Sequence, residues 1–198
     1  MSSVAQPTCD RAADRHYEQA GLRYYSVSQV LEVLRTGPQW SDQQAMQRGT
    51  DVHRLCMLAM AARAGLCEAP ATAPEYQGYL DSFTQWLDIA KPELLGIEQA
   101  VVAGAGLLYA GTYDMLCRMH DKGKRYETIV ELKTGQRQPL HRVQVQAYGK
   151  LEPRAARLGL LYVHADGGMP MWEVVKPSTR DWAAFQAALS VLIYREGV

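Results

Sequence analysis

Two apolar runs separated by a short polar one constrain this chain more than any other feature. Leu107 to Met119 is largely apolar, His120 to Arg125 is polar and holds Asp121 and Gly123, and Tyr126 to Leu132 is apolar again. The pattern predicts a β-hairpin with a loop of several residues. Its first arm carries Gly111-Thr112-Tyr113-Asp114, and its second ends in Glu131-Leu132-Lys133-Thr134-Gly135. On a strand, Glu131 and Lys133 point to one face and Leu132 to the other. Asp114, on the partner strand, can meet Glu131 across the sheet. Two carboxylates and one ammonium at such a point can hold a divalent cation and an anionic substrate together. The same residues also suit a solvated cross-strand acid pair beside a surface lysine, so the neighbouring segments decide.

The chain has 198 residues, 47% of them hydrophobic, enough for one substantial core. Its formal net charge is zero, which argues against a generally basic nucleic-acid binder. The charge is unevenly placed, however. Arg118 to Arg157 holds ten Lys/Arg and four Asp/Glu, a net +6 balanced by −6 elsewhere. A basic field around the hairpin and the following helix suits a polyanionic partner. The four cysteines (Cys9, Cys56, Cys67, Cys117) have no metal-ligand spacing and read as reduced thiols of a cytosolic protein. No run approaches the roughly 18 apolar residues of a membrane helix, and residues 1–15 lack the apolar stretch of a secretion signal.

Residues 1–22 read as a loose or partly helical arm, and 23–198 as a single domain. Ser26-Val27-Ser28 opens a short helix with Val30, Leu31 and Leu34 as its apolar stripe, stopped by Gly37-Pro38. Ser41 and Gln44 have capping-box spacing and start a long helix over 42–64, buried through Val52, Leu55, Cys56, Ala59 and Met60. On it Gly49 and His53 share a face, and the glycine leaves room for something bulky beside the imidazole. A further helix over 75–89 buries Tyr79, Phe83, Trp86 and Leu87. A first strand over 95–102 carries Glu98, and with the hairpin it makes a three-stranded antiparallel meander. Pro139 begins a helix that reaches Leu151 and carries Gln144 and Tyr148 one turn apart. Strands over 157–164 and 169–175 follow, the first placed to run parallel to a central strand. A helix capped by Ser178 ends the chain.

That order of elements, with those residues on them, resembles the PD-(D/E)xK nuclease superfamily, in its RecB-like and phage-exonuclease branch. The likeness runs from Tyr24 to Val175. It rests on Ser26-Val27-Ser28, on Arg48-Gly49-Thr50-Asp51-Val52-His53, on the strand glutamate Glu98, on Gly111 to Asp114, on Glu131-Leu132-Lys133, and on Gln144 with Tyr148. The resemblance implies an α/β, restriction-endonuclease-like core: a central mixed sheet of about five strands flanked by helices, with an N-terminal helical part. Two departures stand out. Gly37-Pro38 occupies the place of a Cys-Pro found in many relatives. No cysteine follows Cys117, so the iron–sulfur cluster of some relatives is not expected.

The activity implied is that of a Mg²⁺- or Mn²⁺-dependent DNA exonuclease with little sequence specificity, acting in recombination, repair or phage DNA processing. A same-fold structure-specific endonuclease and a non-catalytic nucleic-acid-binding module are the alternatives. By resemblance, Asp114, Glu131 and Lys133 are catalytic. Asp114, Glu131, the carbonyl of Leu132 and His53 are the metal ligands, with Glu98 as a second-metal candidate. Few carboxylates suffice for Mg²⁺, which keeps several waters. A divalent ion would activate the attacking water and relieve charge on the phosphate, and Lys133 would assist most in a partly desolvated site. Gln144 and Tyr148 are expected to line the groove and to position the DNA backbone or Lys133. Thr134, Arg137, His141, Arg142 and Lys150 are candidate contacts to substrate phosphates. The implied substrate is a single- or double-stranded DNA end in a bacterial or phage-infected cytoplasm. A recombination or annealing protein is the partner class this suggests, and oligomeric state is left open.

Overall fold

The computed structural model describes residues 16–19, 21–35, 43–104 and 106–197. In chain order they form β1 (His16–Gln19), β2 (Leu22–Ser26), α1 (Val27–Leu34), α2 (Gln43–Arg63), α3 (Gln77–Ala90), β3 (Glu93–Val102), β4 (Tyr109–Asp121), β5 (Lys124–Lys133), α4 (Pro139–Leu151), β6 (Arg157–Tyr162), β7 (Met171–Val175) and α5 (Thr179–Glu196). The helix stop at Gly37-Pro38 and the capping box at Ser41 lie outside the described residues.

The seven strands make one mixed sheet. Five follow one another as expected. β3, β4 and β5 form an antiparallel meander, β6 runs parallel to β5, and β7 returns antiparallel beside β6. The other two precede α1: β1 falls within the segment read as a loose or partly helical arm, and β2 begins at its last residue. β1 and β2 pair as an antiparallel hairpin closed at Gly21 (φ 76°), and the boundary expected after residue 22 falls inside β2. The main hairpin also differs from expectation. Its strands run on to Asp121 and Lys124, leaving a two-residue turn, Lys122-Gly123. Both turn residues have positive φ (48° and 77°), the backbone whose twist matches the flanking strands.

β2 pairs parallel with Tyr109 and Ala110 at the start of β4. Ala110 also pairs with Val102 of β3, so β2 lies on the side of β4 that β5 occupies further along. β5 reaches back only as far as Met115. The sheet therefore forks beside residues 111–114.

Each face of the sheet is covered. Ile129, Leu158, Leu160 and Tyr162 pack with α1, α4 and α5 through Val30, Val145, Tyr148, Phe185 and Leu189. Met115, Val130, Leu132 and Leu161 pack with α2 and α3 through Val52, Cys56, Phe83, Trp86 and Leu87. The unbroken burial of β5 from Thr128 to Leu132 follows from a sheet covered on both sides. Local signals set the helix starts. Ser26 accepts from the Gln29 backbone while Gln29 reaches back to the Ser26 N–H, a reciprocal cap worth about 1 kcal/mol. Pro139 begins α4, and Ser178 caps α5 by accepting from the Asp181 N–H. Among the described residues, no helix is long and apolar enough to cross a membrane.

Candidate active site

Asp114 lies on β4 at the fork, one residue before the β4–β5 ladder begins. There the chain substitutes a side chain for the missing ladder partner: Asp114 Oδ2 accepts from the Leu132 N–H at 2.7 Å. Asp114 is thereby held beside Glu131 and Lys133, at the end of β5. Glu131 and Lys133 share one face, and Lys133 Nζ donates to Glu131 Oε1 at 2.9 Å. That face looks toward α4, whose Gln144 joins the pair. Its carbonyl oxygen accepts from Lys133 Nζ (2.9 Å), and its Nε2 donates to Glu131 Oε1 (2.8 Å) and to the Tyr148 hydroxyl (3.2 Å). Lys133 has three N–H bonds. Two are held by the protein, and one remains for a water or a phosphate oxygen.

α2 lies against the opposite face of the sheet, yet the fork lets it reach the same place. Val52 and Cys56 anchor it in the core, and His53 between them brings Nδ1 to 3.4 Å from Asp114 Oδ1. One turn earlier, a Cβ on Gly49 would meet Thr134 Oγ1 at 3.8 Å. The space expected beside the histidine is where the loop after Lys133 passes.

The electrostatics are those of a crowded acid pair. Burial, then the charge of Asp114, pushes the Glu131 carboxyl up to about 7, against the pull of Lys133. Burial also opposes the charge on Asp114, but His53, then Lys133 and the Leu132 N–H, hold it below the usual carboxylate range. Burial alone would depress His53, yet Asp114, by charge and hydrogen bond, raises it. One atom is left over: Glu131 Oε2 is buried without a hydrogen-bond partner. A buried carboxylate oxygen with nothing to accept from is costly, and a cation bound there removes the cost. The donor set fits a hard divalent ion that keeps waters of its own. Among the described residues, no three His, Cys, Asp or Glu side chains close a metal site unaided.

The other expected site residues divide. Tyr148, expected on the groove wall, is buried, and its ring packs against Gly111, where a Cβ would come within 2.5 Å of Cε1. Arg137 and Arg142 are exposed near the end of β5, but both pair with Glu173, and Arg142 also approaches Asp181. With Tyr162 they line a recess of about 240 Å³. His141 bonds the Tyr162 hydroxyl through Nδ1. Burial, then Lys133 and Arg35, depresses it to about 4, so it is a neutral group at neutral pH. Lys150 is not brought to the site. It lies over the Trp182 ring, nearly two turns of α4 beyond Gln144 and on another side of the helix. Glu98 is bracketed against Asp114 by the pairs Ile97–Met115 and Gln99–Tyr113. Its backbone is left-handed (φ 44°) and its side chain exposed. One neighbour was missed altogether: buried Tyr17 on β1 shares a 2.9 Å hydrogen bond with Thr112, between Gly111 and Asp114. The signal was present as Gly21 between two tyrosine-bearing stretches, a hairpin pattern.

No protein-family model matches the chain, and no curated protein does. Solved structures do. An alkaline exonuclease (LHK-Exo) from Laribacter hongkongensis superposes with a TM-score of 0.50, covering 87% of each chain at 10% identity. The structure of SSO0001, 16% identical over 84% of this chain and 82% of that one, reaches a TM-score of only 0.37 and carries no weight. At such identities the likeness concerns architecture alone, and it agrees with the mixed sheet flanked by helices expected from the sequence: the chain has the fold of that alkaline exonuclease.

Proposed function

We propose that this protein is a divalent-metal-dependent DNA exonuclease that hydrolyses phosphodiester bonds with little sequence specificity. The observation that carries the reading is the partnerless, buried Glu131 Oε2 beside Asp114 and Lys133. A fold that gained nothing from ligand binding would not bury two carboxylates together and leave one oxygen unmet. The exonuclease activity named for the Laribacter protein of like fold supports the choice of reaction.

In this reading Asp114, Glu131, the Leu132 carbonyl and His53 hold Mg²⁺ or Mn²⁺, and Glu98 is the candidate for a second ion. When bound, the ion acidifies a water and draws charge from the phosphate. The protein supplies the rest. Glu131 and Gln144 fix Lys133 so that its remaining N–H points at the reacting group, which stabilises developing negative charge without reorganisation. Tyr148 fixes Gln144 from below. Arg137 and Arg142, tied through Glu173, flank the end of β5 as sequence-independent phosphate contacts, with Thr134 beside them.

The test is cleavage of end-labelled single- and double-stranded DNA with Mg²⁺, Mn²⁺ or EDTA. Asp114→Asn and Lys133→Ala are expected to keep the wild-type circular dichroism and to lose at least about a thousandfold in rate. Wild-type cleavage in EDTA, or full activity in Lys133→Ala, defeats the proposal. Closed circular single-stranded DNA, which offers no end, is expected to survive; its cleavage marks an endonuclease instead.

A further inference from the structure

The strongly basic stretch of the sequence does not gather at the candidate active site. Lys133, Arg137 and Arg142 lie near the site, and all three are engaged by acids or by Gln144. Much of the remaining charge collects at the other end of β5. There the Lys122-Gly123 turn, the start of β6 and the end of β7 come together. Arg157 Nη1 reaches Asp121 at 3.1 Å, and its guanidinium lies 3.7 Å over the Tyr126 ring. The pair Leu158–Val175 sets Lys176 next to Arg157 across the β6–β7 ladder. These residues open on a cleft of about 360 Å³ lined by Tyr126, Gln146, Lys150, Arg157 and Lys176, among others, with no acidic side chain in its wall. Lys122, Lys124 and Arg125 stand exposed beside it. Among the described residues no ion pair joins Lys122, Lys124, Arg125, Lys150 or Lys176 to an acid.

We propose that this cleft is a second binding site for a nucleic-acid strand, separate from the place of cleavage. Charge complementarity selects a polyanion: Lys150, Arg157 and Lys176 line a concave wall with no acidic residue in it, Arg157 being paired with Asp121, and three more basic residues continue along the turn. The half-covered Tyr126 ring and the aliphatic stems of the lysines offer the mixed apolar and basic lining on which single strands rest. Tyr126 is five residues from Glu131 on one strand, so the two sites are about 17 Å apart. A strand held at both loses phosphate contacts when either is removed, whereas a fragment too short to span them feels only the nearer. The choice of nucleic acid over another polyanion rests on the nuclease reading above.

The test uses the full chain in EDTA and two fluorescent oligothymidylates, one of about 20 nucleotides and one of about 5, with anisotropy read across a salt titration. Lys150→Gln with Lys176→Gln removes two cations from the wall. The Lys176 carbonyl that accepts from Gln146 is untouched. Lys124→Glu, on the exposed turn, is a second variant whose folding does not depend on the first. The double variant is expected to bind the longer probe roughly tenfold less tightly at about 0.1 M salt, with a salt slope smaller by about 1.4, near 0.7 per phosphate contact. Lys124→Glu is expected to weaken it in the same direction. Cleavage of the short probe with Mg²⁺ stays at the wild-type rate. Wild-type affinity and slope for the longer probe in both variants overturns the site. If the wild type cleaves neither probe while the variants still lose binding, the nuclease reading fails and the cleft stands.

Discussion

Glu131 carries a charge that the folded chain holds at a cost. Its carboxyl is pushed up to about 7 by burial and by Asp114, whereas in an unfolded chain it titrates near 4.3. Between those values the folded state keeps a proton that the unfolded state has released. The residue's contribution to stability therefore falls as pH rises through that window and is level above it. Glu131→Gln keeps an oxygen for Lys133 and removes the charge. In EDTA its melting temperature is expected to exceed that of the wild type by about 5 °C at pH 8 and by little at pH 5. Equal gains at both pH values count against a raised carboxyl. Under the proposed nuclease function the same variant is expected to be inactive, the pattern of a residue that trades stability for activity. The acids and the lysine were legible in the sequence because a two-residue period settles which side chains share a face. The neutrality of His141 and the pairing of Arg137 and Arg142 with Glu173 were not, because both follow from groups on other elements.

At the scale of elements, the site depends on how closely α4 lies against β4. Gly111 permits that approach: a Cβ there would come within 2.5 Å of Tyr148 Cε1 and 3.0 Å of Val27 Cγ2. Gly111→Ala is expected to destabilise the chain by about 1–3 kcal/mol in urea melts. Moving Tyr148 also loosens Gln144 and through it Lys133, so cleavage under folding conditions is expected to fall well beyond the loss of folded protein. An unchanged rate per folded molecule separates the helix from the chemistry. α4 begins and ends at the residues read from the sequence, because a proline at its first turn and a proline two residues past its last are local signals. The sequence shows neither strand of the β1–β2 hairpin, whose first arm falls in the stretch read as loose or partly helical, because strands of four and five residues carry little periodicity. What holds it is non-local: the pairing of Tyr25 and Ser26 with Tyr109 and Ala110, and the Tyr17–Thr112 hydrogen bond.

The whole molecule is one sheet between two apolar layers, and the layers share the strands that separate them. Phe83→Ala on one side and Phe185→Ala on the other are each expected to cost about 3–5 kcal/mol, since both rings are fully buried. Trp86 and Trp172 report from the layer of Phe83, and Trp182 from that of Phe185. In each variant, fluorescence and far-ultraviolet circular dichroism are expected to give coincident single transitions; two separated transitions would show the layers melting independently. By itself the sequence determined the order of the elements from α1 onward, the buried faces of the helices, and the residue types able to hold a cation and a phosphate. Those follow from side-chain period and from capping and turn chemistry, which act within a few residues. Only the tertiary structure decided where those residues meet. The fork in the sheet admits α2 from one side and α4 from the other to the same two carboxylates, and the hairpin and the β6–β7 pair carry much of the remaining basic charge to the far end. Strand neighbours and the contacts across them join residues up to about a hundred positions apart, and packing, with no local rule to announce it, selects those partners.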